Sequence, residues 1–322
     1  MRIEPAKVAS SMIRNAISSE SGSSRFSRMC MLWFLQLLVS KYRAASQPYT
    51  ASNFDATLHQ PLQVMAFEVE ICATKSDQEI KNTYQTLAYF TAASIASFDH
   101  SMEPLVNMMI KALSDPKYGR RVGQSFRILL AKSEIMDKLN FCKIRALRFQ
   151  KVVSLVVIPL QGAYASPMTS RMEKDNIVIA LAGVLAYMEP ELVADAFGFS
   201  SIMLEGCDSS DDFTKETFIH LLQVLIPLCP KDAESHLDTV IRLMTDRTHN
   251  TYDSPSDASV RCRAKALDVL MRLTEHLPVA GLLQRRARLM PELDLALDDC
   301  SRDVRVKAQV AKMKWLRLGT VI

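Results

Sequence analysis

The chain has 322 residues, of which 39 are Lys or Arg and 35 are Asp or Glu, and its formal net charge at pH 7 is +4. Nucleic-acid binding takes a dense basic stripe, so this small excess does not indicate a nucleic-acid partner. Only 9 glycines occur, aromatic residues make up 7% of the chain, and Leu, Ala, Met, Lys, Arg and Glu are plentiful. These residue types favour helix over sheet, so the composition predicts an all-α protein with almost no strand.

The first 24 residues are polar and rich in serine, so we expect residues 1–24 to be disordered and folded structure to begin at residue 25. A first helix is predicted from Arg28 to Tyr42. Its apolar stretch from Met29 to Val39 is well short of the ~20 residues needed to cross a bilayer. Since the opening residues also lack the apolar run of a secretory signal, we expect neither a membrane segment nor export.

Two more helices are predicted before the first turn marked by proline. A polar linker over 44–57 leads to a helix over 61–74. Asp77 then resembles an N-cap, because its side chain can accept hydrogen bonds from the free amides of a first helical turn. The sequence therefore predicts a long helix over 77–97.

Short turns marked by proline separate the later helices. The first of them, Ser114-Asp115-Pro116, ends a helix over 101–113 because proline cannot continue it. Amphipathic helices joined by such turns are typical of stacked antiparallel hairpins. Helix resumes by Arg120, and the remaining predicted helices cover 141–160, 171–187, 190–204, 212–228, 231–244, 260–276, 282–297 and 301–316.

One segment repeats an earlier one. The pattern Val-Arg-x-basic-Ala of Val304 to Ala308 stands 44 positions after the same pattern in Val260 to Ala264. This offset lies within the ~40 to 47 residues of one HEAT or armadillo unit. We therefore predict an α-solenoid of HEAT/armadillo-type helical hairpins, continuous over 25–322. Such solenoids usually hold partners on an extended surface.

The cysteines and the motif content indicate binding instead of chemistry. The cysteines lack metal-ligand spacing and no histidine lies near another or near a cysteine, so no metal and no cofactor is expected. There is no Gly-rich phosphate loop and no Gly-x-Ser-x-Gly elbow, so we do not expect an enzyme. Reduced core thiols of a cytosolic or nuclear protein are the predicted state of Cys30, Cys72, Cys142, Cys207, Cys229, Cys262 and Cys300.

Three features of the sequence allow a specific functional interpretation beside a purely structural one. The acidic run over 208–212 resembles a calcium loop but lacks its glycine and its twelfth-position glutamate, which favours helix capping. The 17 methionines resemble a soft binding groove but are more typical of core filling. Trp315, beside basic residues, suits either base stacking or the closing of the terminal core. We favour the core, because the ends of a solenoid need a cap.

Four segments, taken in order, resemble one known family. The segments are LSDP at 113–116, QSFRILL at 124–130, KIRALRFQK at 143–151 and LDDCSRDVRVKAQVAKMKWLRLG at 297–319. Together they resemble the C-terminal HEAT-repeat region of the Mms/Met-type cytosolic iron–sulfur assembly adaptor, a family also described as a cofactor of transcription and nucleotide excision repair. The similarity covers about three quarters of the chain. Members of the family are several times longer, so we expect a C-terminal fragment, a misannotated gene start or a shortened paralogue.

The resemblance implies a docking role in the cytoplasm and nucleus. Adaptors of this family join a small cluster-carrying subunit and a β-propeller subunit, and they recruit apo iron–sulfur proteins of DNA replication and repair. The adaptor holds no cluster itself, which agrees with the scattered cysteines. The alternative is a generic HEAT/armadillo scaffold of nuclear transport or transcription, which binds peptides along a concave groove.

The basic excess is concentrated at the end of the chain, where 257–322 carry 13 basic and 8 acidic residues. One interpretation is a solvated terminal cap, in which Arg261 and Arg305 form an acid–base ladder between repeats. The other is a docking surface for an acidic patch on the cluster-assembly subunit, where charge sets association rate and specificity. The candidate partner-binding residues are Arg285, Arg286, Arg288, Arg302, Lys307, Lys314 and Arg317.

Overall fold

The computed structural model describes residues 5–18, 32, 35, 51–97, 102–131, 145–248 and 257–319. These residues form helices and turns, and no strand occurs among them. The prediction of an all-α fold is therefore confirmed. The chain separates into two compact units, Met1–Tyr187 and Met188–Ile322. One continuous solenoid over 25–322 stays a prediction.

The first unit contains short and long helices linked by tight turns. A 3-10 turn follows α2 at Ile71–Thr74 and another follows α4 at Ala112–Ser114, while a π-helical turn at Val153–Val157 joins α7 to α8. Its described helices are α1 (Pro5–Ser18), α2 (Ala51–Glu70), α3 (Asp77–Ser97), α4 (Met102–Lys111), α5 (Gly119–Ser125), α6 (Arg127–Leu130), α7 (Arg145–Val152), α8 (Ile158–Ala165) and α9 (Arg171–Leu185).

The prediction of disorder over 1–24 is wrong for α1. Ile13 and Ala16 of this helix are fully buried, the helix packs on α2 and α3, and Asn82 Nδ2 of α3 donates to the Ile17 carbonyl at 3.1 Å. The two apolar pairs at 12–13 and 16–17 are four residues apart, so they lie on one face of a helix and cover a core. Their separation by polar residues hid this pattern.

Two other predictions for this part of the chain have different outcomes. The predicted helix over 28–42 lies outside the described residues except for Leu32 and Leu35, which are both buried. The predicted linker over 44–57 is wrong from Ala51 onward, because α2 begins there and Pro61 lies inside it. Pro61 does not mark the start of the helix, because packing against neighbouring helices can stabilise a helix that its local sequence disfavours.

The start of α3 corrects the predicted cap. Ser76 Oγ accepts from the Glu79 amide at 3.4 Å, and the Glu79 carboxylate accepts from the Ser76 amide at 3.0 Å. This reciprocal pair is a capping box, so Ser76 caps α3 in place of Asp77. The Asp77 carboxylate instead accepts from Lys117 Nζ at 2.7 Å and from the Tyr118 hydroxyl at 2.6 Å, and these bonds lower the pKa of Asp77. Asp77 therefore ties α3 to the turn before α5.

Glycine permits the close approach of α5 to α9. A Cβ added at Gly119 would lie 2.4 Å from the Leu113 carbonyl oxygen and 2.5 Å from Asn176 Nδ2. Asn176 is buried, and its Nδ2 donates to the same Leu113 carbonyl at 2.9 Å. A side chain at Gly119 would thus separate a buried donor from its acceptor.

We expect Gly119→Ala to destabilise the chain by about 1–3 kcal/mol, because overpacking and a broken buried hydrogen bond outweigh the better helix propensity of alanine. The matched control is Gly162→Ala in α8, where an added Cβ meets nothing within 4 Å. That control should be stabilising by about 0.5–1 kcal/mol. Urea denaturation followed by circular dichroism measures both variants, and equal effects at the two positions would contradict this account of Gly119.

The second unit stacks helical hairpins in two layers. The hairpins α14–α15 and α16–α17 pack so that α12, α15 and α17 lie side by side in one layer, while α14 packs against α16 in the other. Its described helices are α10 (Pro190–Ala196), α11 (Ser201–Gly206), α12 (Asp212–Leu225), α13 (Pro230–Ser235), α14 (Leu237–Thr248), α15 (Asp257–His276), α16 (Val279–Ala296) and α17 (Arg302–Leu316).

A break separates α10 from α11 where the sequence predicted one helix over 190–204. Gly198 has a φ of 59°, the left-handed conformation that commonly ends a helix. Ser200 then caps α11, since its Oγ accepts from the Met203 amide at 3.4 Å. The predicted helix over 231–244 likewise divides into α13 and α14.

The acidic run acts as the sequence predicted, and the methionines do so in part, since Met168 is 90% and Met313 43% exposed. Asp211 caps α12 by accepting from the Thr214 amide at 3.0 Å, which confirms helix capping within 208–212. Met65, Met109, Met203 and Met244 are fully buried, as core filling requires.

The cysteines of the described residues are free thiols. Cys72, Cys207 and Cys262 are buried, as predicted, and burial raises the pKa of the Cys207 thiol. Cys300 is exposed, so the prediction of a core thiol is wrong there. It lies in the turn before α17, where the chain reverses at the surface.

Candidate docking surface on the last two helices

The structure divides the seven predicted basic residues into paired and exposed groups. Arg285 of α16 donates to both carboxylate oxygens of Asp238 in α14, at 2.7 and 2.6 Å, and lowers the pKa of that carboxyl. Arg286 donates to the Leu318 carbonyl at 3.2 Å. Arg288 is exposed on α16. The other four residues lie on α17 or directly after it.

On α17, two of the predicted residues face a neighbouring helix. Lys307 forms an ion pair with Asp268 of α15, and Lys314 forms one with Glu275, which lowers the pKa of Glu275. Arg302 and Arg317 are exposed. The seven residues therefore do not form one basic surface, because three of them neutralise carboxylates of adjacent helices.

The ion pairs of Lys307 and Lys314 belong to a ladder of ion pairs that joins α12, α15 and α17. Arg261 of α15 pairs with Glu216 of α12 at 3.0 Å, and Lys265 pairs with the same carboxylate at 3.0 Å. The predicted ladder is thus confirmed for Arg261. It is wrong for Arg305, whose Nη1 donates to the backbone carbonyls of Asp299 at 2.7 Å and Cys300 at 3.0 Å.

A buried ion pair, which the sequence analysis missed, joins α15 to the turn before α17. Arg263 Nε donates to Asp299 Oδ2 at 2.6 Å and its Nη2 donates to Oδ1 at 3.2 Å, with the side chains only 3% and 0% exposed. Asp299 Oδ1 also accepts from the Ser301 amide at 2.7 Å, and Arg263 Nη1 donates to Ser259 Oγ at 2.8 Å. Nothing local in the sequence links the two residues, which are 36 positions apart.

Trp315 lies on the buried face of α17. It is 0% exposed, and its Nε1 donates to the Leu270 carbonyl of α15 at 3.0 Å. Base stacking needs an open ring face, so the interpretation as an aromatic that closes the terminal core is confirmed. The buried face of α17 carries Val304, Ala308, Ala311 and Trp315.

The opposite face of α17 carries a second apolar row that the sequence analysis did not single out. Val306, Val310 and Met313 are 52%, 44% and 43% exposed. Arg302 and Arg317 recur at the same spacing of three or four residues, so all five share one face. We call these five residues the outer stripe. Because α17 has apolar residues on both faces at helical spacing, periodicity alone could not tell which face is buried.

The arrangement is suited to binding. A row of exposed apolar side chains with a cation at each end is typical of a protein contact, since single exposed apolar residues are ordinary but contiguous ones are not. In the described part of the chain, no group of three or more His, Cys, Asp or Glu side chains is placed to hold a metal ion. Among the described helices, none has the length and apolar character to span a membrane.

Stacked helical hairpins joined by an ion-pair ladder define a helical-repeat protein of the HEAT/armadillo class. A designed armadillo repeat protein has a TM-score of 0.47 at 13% identity, covering 78% of this chain and 99% of its own. The archaeal HEAT-like repeats protein from Thermococcus onnurineus NA1 has a TM-score of 0.43 at 14% identity, covering 97% and 98%. The model of the family described as RNAPII transcription regulator C-terminal matches residues 2–274, and the chain belongs to this family.

Curated relatives carry one common name. The chain is 27% identical over 261 residues to the MMS19 nucleotide excision repair protein homolog of Xenopus tropicalis, covering 80% of this chain and 24% of the relative. It is 25% identical over 266 residues to the mouse homolog, with coverages of 82% and 25%, and 26% identical over 240 residues to the human homolog, with coverages of 74% and 22%. The chain therefore spans about a quarter of the length of these relatives.

Proposed function

We propose that the chain is a non-catalytic adaptor of the cytosolic iron–sulfur protein assembly targeting complex. It docks the small cluster-carrying subunit and the β-propeller subunit, and it presents apo iron–sulfur proteins of DNA replication and repair. It acts in the cytoplasm and nucleus without direct contact to nucleic acid or membrane. Membership of the family supports this proposal, as do a helical-repeat fold suited to holding partners and relatives named for nucleotide excision repair.

The observation that carries the proposal is the outer stripe of α17. On α15 the positions 44 residues before this apolar row, Cys262, Ala266 and Val269, are buried. On α17 this face instead holds Val306, Val310 and Met313, whose exposure to water is unfavourable by roughly 25 cal/mol per Å² of apolar surface. A partner that covers the apolar row gains this energy, while acidic groups on the partner meet the flanking arginines.

The test reverses the exposed cations and leaves the ladder intact. Arg285 is unsuitable, because its reversal would place two carboxylates together at Asp238. Arg288→Glu/Arg302→Glu is preferable, since both side chains are exposed and a glutamate at Arg302 lies in the first turn of α17, where negative charge is favourable. We expect binding to the purified cluster-carrying subunit to weaken at least tenfold and to depend less on salt, as measured by calorimetry at two salt concentrations.

The matched control is Lys231→Glu/Arg242→Glu, which makes the same charge change at exposed positions of α13 and α14. This control should bind with an affinity within about twofold of the parent. Circular dichroism checks that both variants are folded. An unchanged affinity of the folded Arg288→Glu/Arg302→Glu variant would show that these exposed cations are only a solvated cap, and electrostatic docking at this end of the chain would be wrong.

A further inference from the structure

A polar cleft lies within the first unit, between α3 and the pair α5–α6. Its volume is about 350 Å³. Ligand sites in proteins are commonly about 300–1,000 Å³, so the cleft has room for a short segment of a ligand. Helix α3 contributes Gln78, Lys81 and Gln85 at a spacing of three and four residues, and α5 and α6 contribute Arg121 and Arg127 from the opposite side.

The cleft is electropositive. Among the described residues, its lining includes three cations, Lys81, Arg121 and Arg127, and no carboxylate. Near the cleft, the Asp77 carboxylate accepts from Lys117 and Tyr118, and Lys81 also contributes to its lowered pKa. The Asp115 carboxylate accepts from the backbone amides of Lys117 and Tyr118. Positive charge on converging walls raises the local concentration of anions, so the ligand that suits the cleft is acidic.

The neutral lining groups favour a peptide over a nucleic acid. The Gln78 amide donates to Asn82 Oδ1 at 3.0 Å, and its second N–H and its oxygen match the carbonyl and amide groups of an extended peptide backbone. Non-specific binding of single-stranded nucleic acid depends on open aromatic faces. The tyrosines of the cleft, Tyr84 and Tyr118, are only 8% and 7% exposed and pack against each other with ring centroids 6.4 Å apart.

We infer that this cleft binds an acidic segment of a partner protein in an extended conformation. The carboxylates of the segment lie against Lys81 and Arg121, and its backbone lies along Gln78. From residue 78 to residue 85 the helix rises about 10 Å, a length that about three extended residues span. The inference goes beyond the adaptor role and does not depend on it, because the cleft and the outer stripe share no residue.

The test measures binding of a fluorescein-labelled ten-residue peptide of alternating Glu and Ala by fluorescence anisotropy, with the full chain. Lys81→Gln/Arg121→Gln removes two cations from the cleft and should weaken binding at least tenfold. The matched control, Lys111→Gln/Lys174→Gln, removes two cations of the same unit outside the cleft and should change affinity less than twofold. A ten-residue peptide of alternating Lys and Ala should not bind.

Gln78→Glu gives a second test that adds a carboxylate to the cleft at the first turn of α3, where acid is favourable. It should weaken binding of the acidic peptide at least threefold. Unchanged affinity in this variant, equal losses in the two double variants, or no saturable binding at about millimolar peptide would each overturn the inference. Tighter binding of a ten-nucleotide thymidine strand than of the peptide, lost in Lys81→Gln/Arg121→Gln, would assign the cleft to nucleic acid and also overturn it.

Discussion

Asp299→Ala should lower the free energy of unfolding of the second unit by about 3–5 kcal/mol, because it leaves the guanidinium of Arg263 buried without its carboxylate. The same change removes the acceptor of the Ser301 amide at the start of α17. A buried charge that loses its partner must be dehydrated without compensation, whereas an exposed pair that loses one member is solvated by water. The size of the effect therefore follows from burial and not from the number of hydrogen bonds.

Glu275→Ala is the matched control, because Glu275 also pairs α15 with α17 but both side chains of its pair are about one third exposed. An exposed pair of this kind typically contributes about 0–1 kcal/mol. Replacing both members of the buried pair by apolar residues, in Arg263→Met/Asp299→Leu, should recover most of the loss, since no unpaired charge remains.

Tryptophan fluorescence measures these changes in the second unit. The chain has two tryptophans, Trp33 and Trp315. In a Trp33→Phe background, the fluorescence of Trp315 reports unfolding of the unit that contains Asp299, and urea titrations then compare the variants. A loss of less than about 1 kcal/mol for Asp299→Ala would show that the buried pair does not hold α15 to α17.

The sequence predicted the helices best where periodicity and proline agree. The helix predicted over 260–276 begins later than α15, which starts at Asp257, and ends at the same residue. The helix predicted over 301–316 matches α17 within one residue. Such boundaries are readable because proline and capping residues act on the backbone within one turn. The break at Gly198 was missed because a single glycine is compatible with both a helix interior and a helix end.

The candidate site was less predictable, because it depends on contacts between distant residues. The count of basic residues identified α16 and α17, but charge alone could not show that Arg285 is neutralised by Asp238, 47 positions away. The outer stripe was missed for a related reason. Both faces of α17 are apolar, and the neighbour that buries Trp315 is α15, whose position is fixed by the fold and not by local sequence.

The paired and exposed cations have different roles in this account. Lys307 and Lys314 are fixed between α15 and α17, so a partner would have to displace an intramolecular carboxylate to reach them. Neither Arg288 nor Arg302 forms an ion pair with a described residue, and Arg288 acts on the Asp238 carboxylate only without direct contact. Electrostatic recognition at this end of the chain should therefore depend on Arg288 and Arg302 more than on the other candidates.

Trp315→Ala should destabilise the second unit by about 3–5 kcal/mol, because it removes a fully buried ring and leaves a cavity between α17 and α15. Trp315→Phe keeps most of the apolar volume but loses the Nε1 bond to the Leu270 carbonyl, so its cost should be about 1–2 kcal/mol. Leu316→Ala, at the adjacent and 45% exposed position, should change stability by no more than about 0.5 kcal/mol.

Urea titration followed by circular dichroism measures these three variants, in the transition that Trp315 fluorescence assigns to the second unit of the parent chain. The loss of stability should be largest for Trp315→Ala, smaller for Trp315→Phe and smallest for Leu316→Ala, because the ring of Trp315 is buried and Leu316 is exposed. A tryptophan used for base stacking would behave differently, because its removal would weaken nucleic-acid binding and leave the transition in place. If the urea midpoint of Trp315→Ala equals that of Leu316→Ala, the structural role of Trp315 is contradicted, and its ring must lie at the exposed surface of the terminal hairpin.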